Sequence, residues 1–303
     1  MALLLVGTDD GVVPFVDGAR QPVELEGRRV HALTRQRGEW WAVVDKRTVV
    51  QRRDGGQWIE LGTADVTLTC LLPAPGGAWC GTTDGRLLRL HEGAFAAVAP
   101  FSEVEGREGW HAVGSDVPYV RSLAETADHR ALLANVHVGG IPRSGNGGAS
   151  WRQTIDPDAD VHQVRAHPKD RALVLAAASV GLAVSRDAGE SWDVVTDGLH
   201  ATYLRAVAYT DDAALVSACD GPFGTHGALY RWDTQGGGAC TRITDGLPEW
   251  LAGNVDTGKL DADDSIAAFA DTDGVYASDD AGARWAVVDV GGASVHGIGV
   301  AAA

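Results

Sequence analysis

Three eight-residue stretches constrain this chain more than anything else in it: SGNGGASW at 144–151, SRDAGESW at 185–192 and SDDAGARW at 278–285. All fit the template S-x-[D/N]-x-G-x-x-W. They begin 41 and then 93 residues apart, one period in the 40s followed by nearly two. A repeat of roughly 40–45 residues is the length of a four-stranded propeller blade. Turn chemistry accounts for each fixed letter. Asp187, Asp280 and Asn146 can accept hydrogen bonds from backbone N–H groups of their own turn, and Gly148, Gly189 and Gly282 supply a positive φ. Trp151, Trp192 and Trp285 then have indoles to bury between blades. RRDGGQW at 52–58 reads as a shortened copy, and YRWDTQGGGAC at 230–240 as a decayed one.

Short runs of Val, Leu, Ala and Trp fill the intervals, divided by turn signals such as TDDG, TTDG and DTDG, and no helical periodicity competes with them. Aligning the blades on their first strands gives seven pentapeptides: RVHAL (29–33), DVTLT (65–69), YVRSL (119–123), DVHQV (160–164), YLRAV (203–207), NVDTG (254–258) and SVHGI (294–298). The last has too little chain after it to build a blade, while the N-terminus offers LLLVGTDDG, VVPFVDG and QPVELEG without a first strand. The expected fold is therefore all-β, a single seven-bladed β-propeller domain over 1–303 in which the two ends complete one blade and abolish a free sheet edge.

The template resembles the Asp-box of the bacterial neuraminidase repeat (BNR) family, found in sialidases, sortilin-type receptors and photosystem II assembly factors. The resemblance covers nearly the whole chain, which looks most like intracellular members of that superfamily. It implies the propeller fold, and it implies that the boxes lie away from any active site. A sialidase-like glycoside hydrolase would further need an arginine cluster, a tyrosine nucleophile with a glutamate partner, and an acid/base aspartate. The Phe-Arg-Ile-Pro of such enzymes is absent, and GIPRS at 140–144 has related letters in another order. Assembly-factor relatives imply a second alternative, a non-enzymatic scaffold presenting one face to a partner protein.

Lysine and arginine number 25 against 41 acidic residues, a net charge of −16, which opposes binding to nucleic acid or anionic membranes. The start, MALLLVGTDDGVV, has no basic region, adequate apolar run or cleavage site of a signal peptide. With four cysteines and no CxxC, free thiols in a cytoplasmic monomer are expected, although Cys70 and Cys80 stand where a hairpin disulfide could form in an exported protein.

In a propeller the first strand of each blade lines the central channel, so the middle letters of the pentapeptides form a ring: His31, Thr67, Arg121, His162, Arg205, Asp256 and His296. Loops reaching the same face add His137, Asp220, His226, Asp9, Asp10 and Asp273, and blade connections add Trp110, His111, His200 and Trp250. One reading is a divalent transition-metal site of His31, His162 and His296, with Asp256 or His137 as a further ligand. Another is an anion pocket in which Arg121 and Arg205 clamp a carboxylate or phosphate. Tyr119 and Tyr203 add hydroxyl donors there, with His162, His137 and Tyr203 as the candidate acid–base groups. The same residues also admit a structural role as rim charges that satisfy one another. The expectation drawn from these is a pocket for a small anionic metabolite, walled by Trp110, Trp250 and Phe223, with His226 beside it and one metal ion assisting.

Overall fold

Runs of β-branched and small apolar residues between glycine-containing turns can only bury themselves as sheet, and the computed structural model, which describes residues 2–36, 38–53 and 56–302, forms seven antiparallel four-stranded sheets. The innermost strands are Val30–Gln36, Leu68–Ala74, Val120–Glu125, Val161–Ala166, Tyr203–Tyr209, Leu260–Asp263 and Val295–Ala301. Each packs against the next around the ring, and the last returns to the first, which is the closure of a seven-bladed β-propeller. Among the described residues no helix is long and apolar enough to cross a membrane.

The closing blade joins both ends of the chain. Val295–Ala301 pairs with Leu3–Thr8, which pairs with Gly11–Val16 and then with Ala19–Arg20. The outermost strand differs from the expected QPVELEG. Asp17 and Gly18, both at positive φ, reverse the chain two residues before that segment begins. Residues 21–27 instead fold back along the blade, where Glu24 bridges Val12 and its carboxylate accepts from the Arg52 guanidinium and the Trp58 indole.

The core lies between blades. Leu173, Leu175 and Leu182 of one sheet meet Leu204, Val207, Tyr230 and Trp232 of the next, and in the following gap Phe269 stacks on Tyr276 and meets Trp285 edge-on. The three template turns repeat one hydrogen-bond pattern. Gly148, Gly189 and Gly282 donate N–H groups to Ser144, Ser185 and Ser278, while Oδ1 of Asn146, Asp187 and Asp280 accepts from Ser150, Ser191 and Arg284, each at 2.9 Å. Trp285 is buried and Trp151 and Trp192 half-buried. In the decayed copy Asp233 accepts from Gln235 and Gly236, and Trp232 is fully buried. Within the shortened copy, residues 54–55 lie outside the described residues.

All four cysteines are buried free thiols. Cys70 faces Gly81 and Cys80 faces Leu71 across their hairpin, so the two thiols fall into different inter-blade cores and no bridge joins them. Burial pushes the Cys70 thiol up to about 12.

Candidate functional site

The ring residues stand where they do because the innermost strands are bulged. Each bulge inserts one extra residue opposite a single partner, and the inserted side chain is re-aimed out of the alternation. The extra residue is His31, Arg121 and His162 in three blades, falls at Arg205–Ala206 in a fourth, and is His296 in the closing blade.

Two positions of the expected ring are corrected by this geometry. In the second blade the bulged residue is Thr69, between Leu68 and Cys70, and Thr67 lies before the strand with its carbonyl accepting from Thr83. In the sixth, NVDTG is a loop and turn that precedes the strand Leu260–Asp263. Its Asp256 turns aside to pair with Arg205, and Thr257 faces the channel instead. Thr257 Oγ1 donates to the carbonyls of His162 and Arg205, tying three blades together.

His31, Thr69, Arg121, Thr257 and His296 line a channel cavity of about 100 Å³, room for a ligand of a few heavy atoms. His31 and His296 stack at 6.1 Å between centroids, and His296 Nε2 lies 2.8 Å from Asp9, which also pairs with Arg29. Arg121 is half-buried. Its Nη2 reaches Thr257 Oγ1 at 3.4 Å, its guanidinium lies over the Tyr119 ring, and among the described residues no carboxylate is within 4 Å of it. The two Nη atoms of Arg205 donate to Asp256, the Tyr203 hydroxyl and the Pro222 carbonyl, while its buried Nε has no partner.

Beside the two arginines, His137, Asp160 and His162 bring their polar atoms within 4.8 Å of one another. Each imidazole Nε2 is 3.4 Å from an Asp160 oxygen. His162 is wholly buried, and its Nδ1 is 2.5 Å from the Leu204 carbonyl. A carbonyl only accepts, so Nδ1 carries the proton and Nε2 presents a lone pair when the ring is neutral. Tyr119 packs on His137 at 4.8 Å and Tyr203 on His162 at 4.7 Å. Burial first, and then the Arg121 charge, push the His137 imidazole down to about 4. Thus His137, His162, Tyr119, Tyr203, Arg121, Arg205 and Asp256 form one continuous cluster.

The expected metal set of His31, His162, His296 and Asp256 does not converge. His31 and His296 hold each other, Asp256 holds Arg205, and among the described residues the metal-sized group is His137, Asp160 and His162. Asp160 was passed over as the opening letter of a strand. It closes the short 3-10 turn Pro157–Ala159 in a left-handed conformation, φ 45°, a reversal with no glycine or asparagine to announce it.

The walls differ too. Trp110 is buried against Phe101 beneath Gly139, supporting the His137 loop from below, and Phe223 is 96% exposed. Trp250 and His226 belong to a neighbouring cluster, with His200 at 4.8 Å from Trp250, His226 at 5.1 Å, and Arg242 stacked at 4.0 Å. A wider opening, about 520 Å³, is one that the sequence does not announce. It lies where the innermost strands end, and its Arg35, Arg165 and Lys169 pair with Asp263, Asp261 and Asp211.

His31 supplies a pH test. Burial, followed by Arg29 and Lys46, pushes its imidazole down from 6.5 to about 4. Between those values the unfolded chain binds a proton that folded His31 does not, so this contribution to stability is complete above pH 6.5 and is lost as pH falls toward 4. Urea unfolding at pH 7 and pH 5 should show a smaller pH-dependent loss in His31→Gln than in the wild type; equal losses would refute the assignment.

No family model matches the chain, and no curated protein matches it. Solved structures do. The GH74 enzyme of Niastella koreensis is 13% identical, with a TM-score of 0.63 over 93% of this chain and 46% of its own. The GH74 xyloglucanase of Xanthomonas campestris is 20% identical, with a TM-score of 0.60 over 84% and 44%. YCF48 from Cyanidioschyzon merolae is 17% identical, with a TM-score of 0.65 over 91% and 90%. The chain thus spans less than half of these GH74 enzymes and most of YCF48. Likeness at these identities defines the class, a seven-bladed β-propeller, and nothing finer.

Proposed function

We propose that the strand-start face of this propeller recognises a small anionic metabolite, a carboxylate or phosphate, with His162, His137 and Tyr203 placed where its conversion would occur. Arg121 carries this reading. A half-buried guanidinium has given up water, and its protein contacts return one long hydrogen bond to Thr257 and the face of Tyr119. An anion entering the channel cavity would supply the missing charge and bidentate acceptors. The reading takes the chain as a cytoplasmic monomer of the Asp-box superfamily, whose template turns lie on the other face.

Screening small carboxylates and phosphates by thermal shift and calorimetry should find ligands that stabilise the wild type. Arg121→Gln should weaken them about a hundredfold, as loss of a buried charge-assisted pair does. Absence of any such ligand, or equal affinity in Arg121→Gln, would overturn the proposal.

A second reading, a protein-docking scaffold, is supported by likeness to YCF48, one structure of which, 16% identical with a TM-score of 0.59, is described as bound to a D1 peptide. The exposed loop bearing Phe223 would serve it. The glycosidase reading has less support, because Asp160 lies between two imidazoles and Asp256 is paired with Arg205, leaving neither as a free acid.

A further inference from the structure

We propose that His137, Asp160 and His162 bind one divalent transition-metal ion, and that the anion held by Arg121 completes its coordination. Only the second half rests on the reading of this face as an anion site.

The donor set is two imidazoles and one carboxylate, which suits zinc, iron, manganese or cobalt and leaves open positions for a further ligand. The spacing is close to that of a site. Ligand bonds of about 2.1 Å in tetrahedral geometry put neighbouring donor atoms about 3.4 Å apart; His137 Nε2 stands 3.4 Å from Asp160 Oδ1 and His162 Nε2 3.4 Å from Oδ2, and the three donors lie within 4.8 Å of one another, so a small side-chain movement would close them on one ion. With its proton on Nδ1, His162 turns a lone pair toward the Asp160 carboxylate, an opposition that a cation between them would relieve.

The surroundings are those of a ligand site. His162 Nε2 and Asp160 Oδ1 are buried without a hydrogen-bond partner, a cost that a bound ion would relieve. The Leu204 carbonyl fixes the proton of His162 on Nδ1, and so aims the Nε2 lone pair at the centre of the group, as outer partners do for metal-bound histidine. The backbone is strained beside two of the three ligands. Asp160 sits at φ 45°, and Val138, a β-branched residue following His137, sits at φ 40°.

Charge explains why metal and anion should come together. Arg121 and Arg205 already stand beside the group, balanced by Asp160 and Asp256. A divalent cation alone makes the site strongly positive, and an anion bridging it to Arg121 restores the balance. The two ligands should therefore raise each other's affinity by the same factor.

The test uses the full chain stripped with chelator, titrated with cobalt(II) in visible absorption and with zinc by calorimetry, then with inorganic phosphate. One equivalent of metal is expected. Asp160→Asn and His162→Gln should each weaken it by more than about a hundredfold, beyond what loss of an outer-shell partner costs, with folding confirmed by circular dichroism. Should buried His162→Gln not fold, His137→Gln on its loop gives the same readout. The double variant His31→Gln/His296→Gln, outside the metal group, should bind the metal as the wild type does. Arg121→Gln should keep the metal and lose the change that phosphate makes in the cobalt spectrum.

Wild type without stoichiometric metal overturns the site even where phosphate still binds. Equal metal affinity in Asp160→Asn, or its loss in the His31/His296 variant, overturns the ligand assignment. Metal bound with no phosphate effect overturns the shared coordination.

Discussion

Truncation before Val295 is expected to abolish cooperative folding of the whole ring. Val295–Ala301 pairs with Leu3–Thr8 in the register Leu3↔Ala301, Leu4↔Val300, Leu5↔Gly299 and Val6↔Ile298. Without it, one edge of the closing blade is unpaired along its length, and a long apolar edge invites association. Ile298 and Val300 leave the core, while Leu4 and Val6 lose their cover. At about 1.5–3 kcal/mol per buried aliphatic side chain, the loss is comparable to the entire stability of about 5–15 kcal/mol of an ordinary domain. The closing strand also touches its neighbours on both sides, Val30–Gln36 and Leu260–Asp263, so the damage spreads to two more blades. Thermal unfolding followed by near-UV circular dichroism should lose its sharp transition, and dye binding should report exposed apolar surface. A truncated chain that melts as sharply as the full one would show that the ring does not depend on this closure.

Gly246→Ala should lower stability by more than about 3 kcal/mol, whereas Gly292→Ala should cost about 1 kcal/mol. Both glycines have positive φ, +76° and +73°, so both changes bear the left-handed penalty. What separates them is space. A Cβ on Gly246 would lie 1.9 Å from the Trp285 carbonyl oxygen, and one on Gly292 meets nothing within 4 Å. The Trp285 backbone cannot yield easily, because its N–H donates to Asp245 and its indole fills the core beside Phe269. The motif TDGL at 244–247 has a twin at 196–199, where a Cβ on Gly198 would lie 2.0 Å from the Cys240 carbonyl oxygen and Asp197 accepts from Cys240. These two connections between blades are thus each held by a glycine that only a missing side chain permits. Urea denaturation of both variants decides the matter, and equal losses would mean that the carbonyl contact is not what constrains Gly246.

What the chain's letters determine by themselves is local and periodic. The template turns were legible because serine, aspartate and glycine at fixed spacing satisfy their own backbone without help from the rest of the fold, and the Asn146, Asp187 and Asp280 turns show that pattern. Blade length and ring closure followed from their spacing and from an unmatched strand at each end. Apolar flanks marked His31, Arg121, His162, Arg205 and His296 as strand residues; of these His31, Arg121 and His296 line the channel cavity, while His162 and Arg205 stand in the cluster beside it.

Tertiary structure alone decided which of those side chains meet. Where a bulge falls depends on the partner strand, so in the second blade the inserted residue is Thr69, two beyond Thr67. The loop before Leu260 was indistinguishable from a strand start by pattern, and its fate was settled by Arg205 drawing Asp256 aside. Asp160 needed a left-handed turn before its carboxylate could stand between His137 and His162, residues of two neighbouring blades brought together by the packing of one sheet on the next. Convergence of this kind is a property of the ring's geometry, because the distance between two blades is not written in the spacing of their residues along the chain.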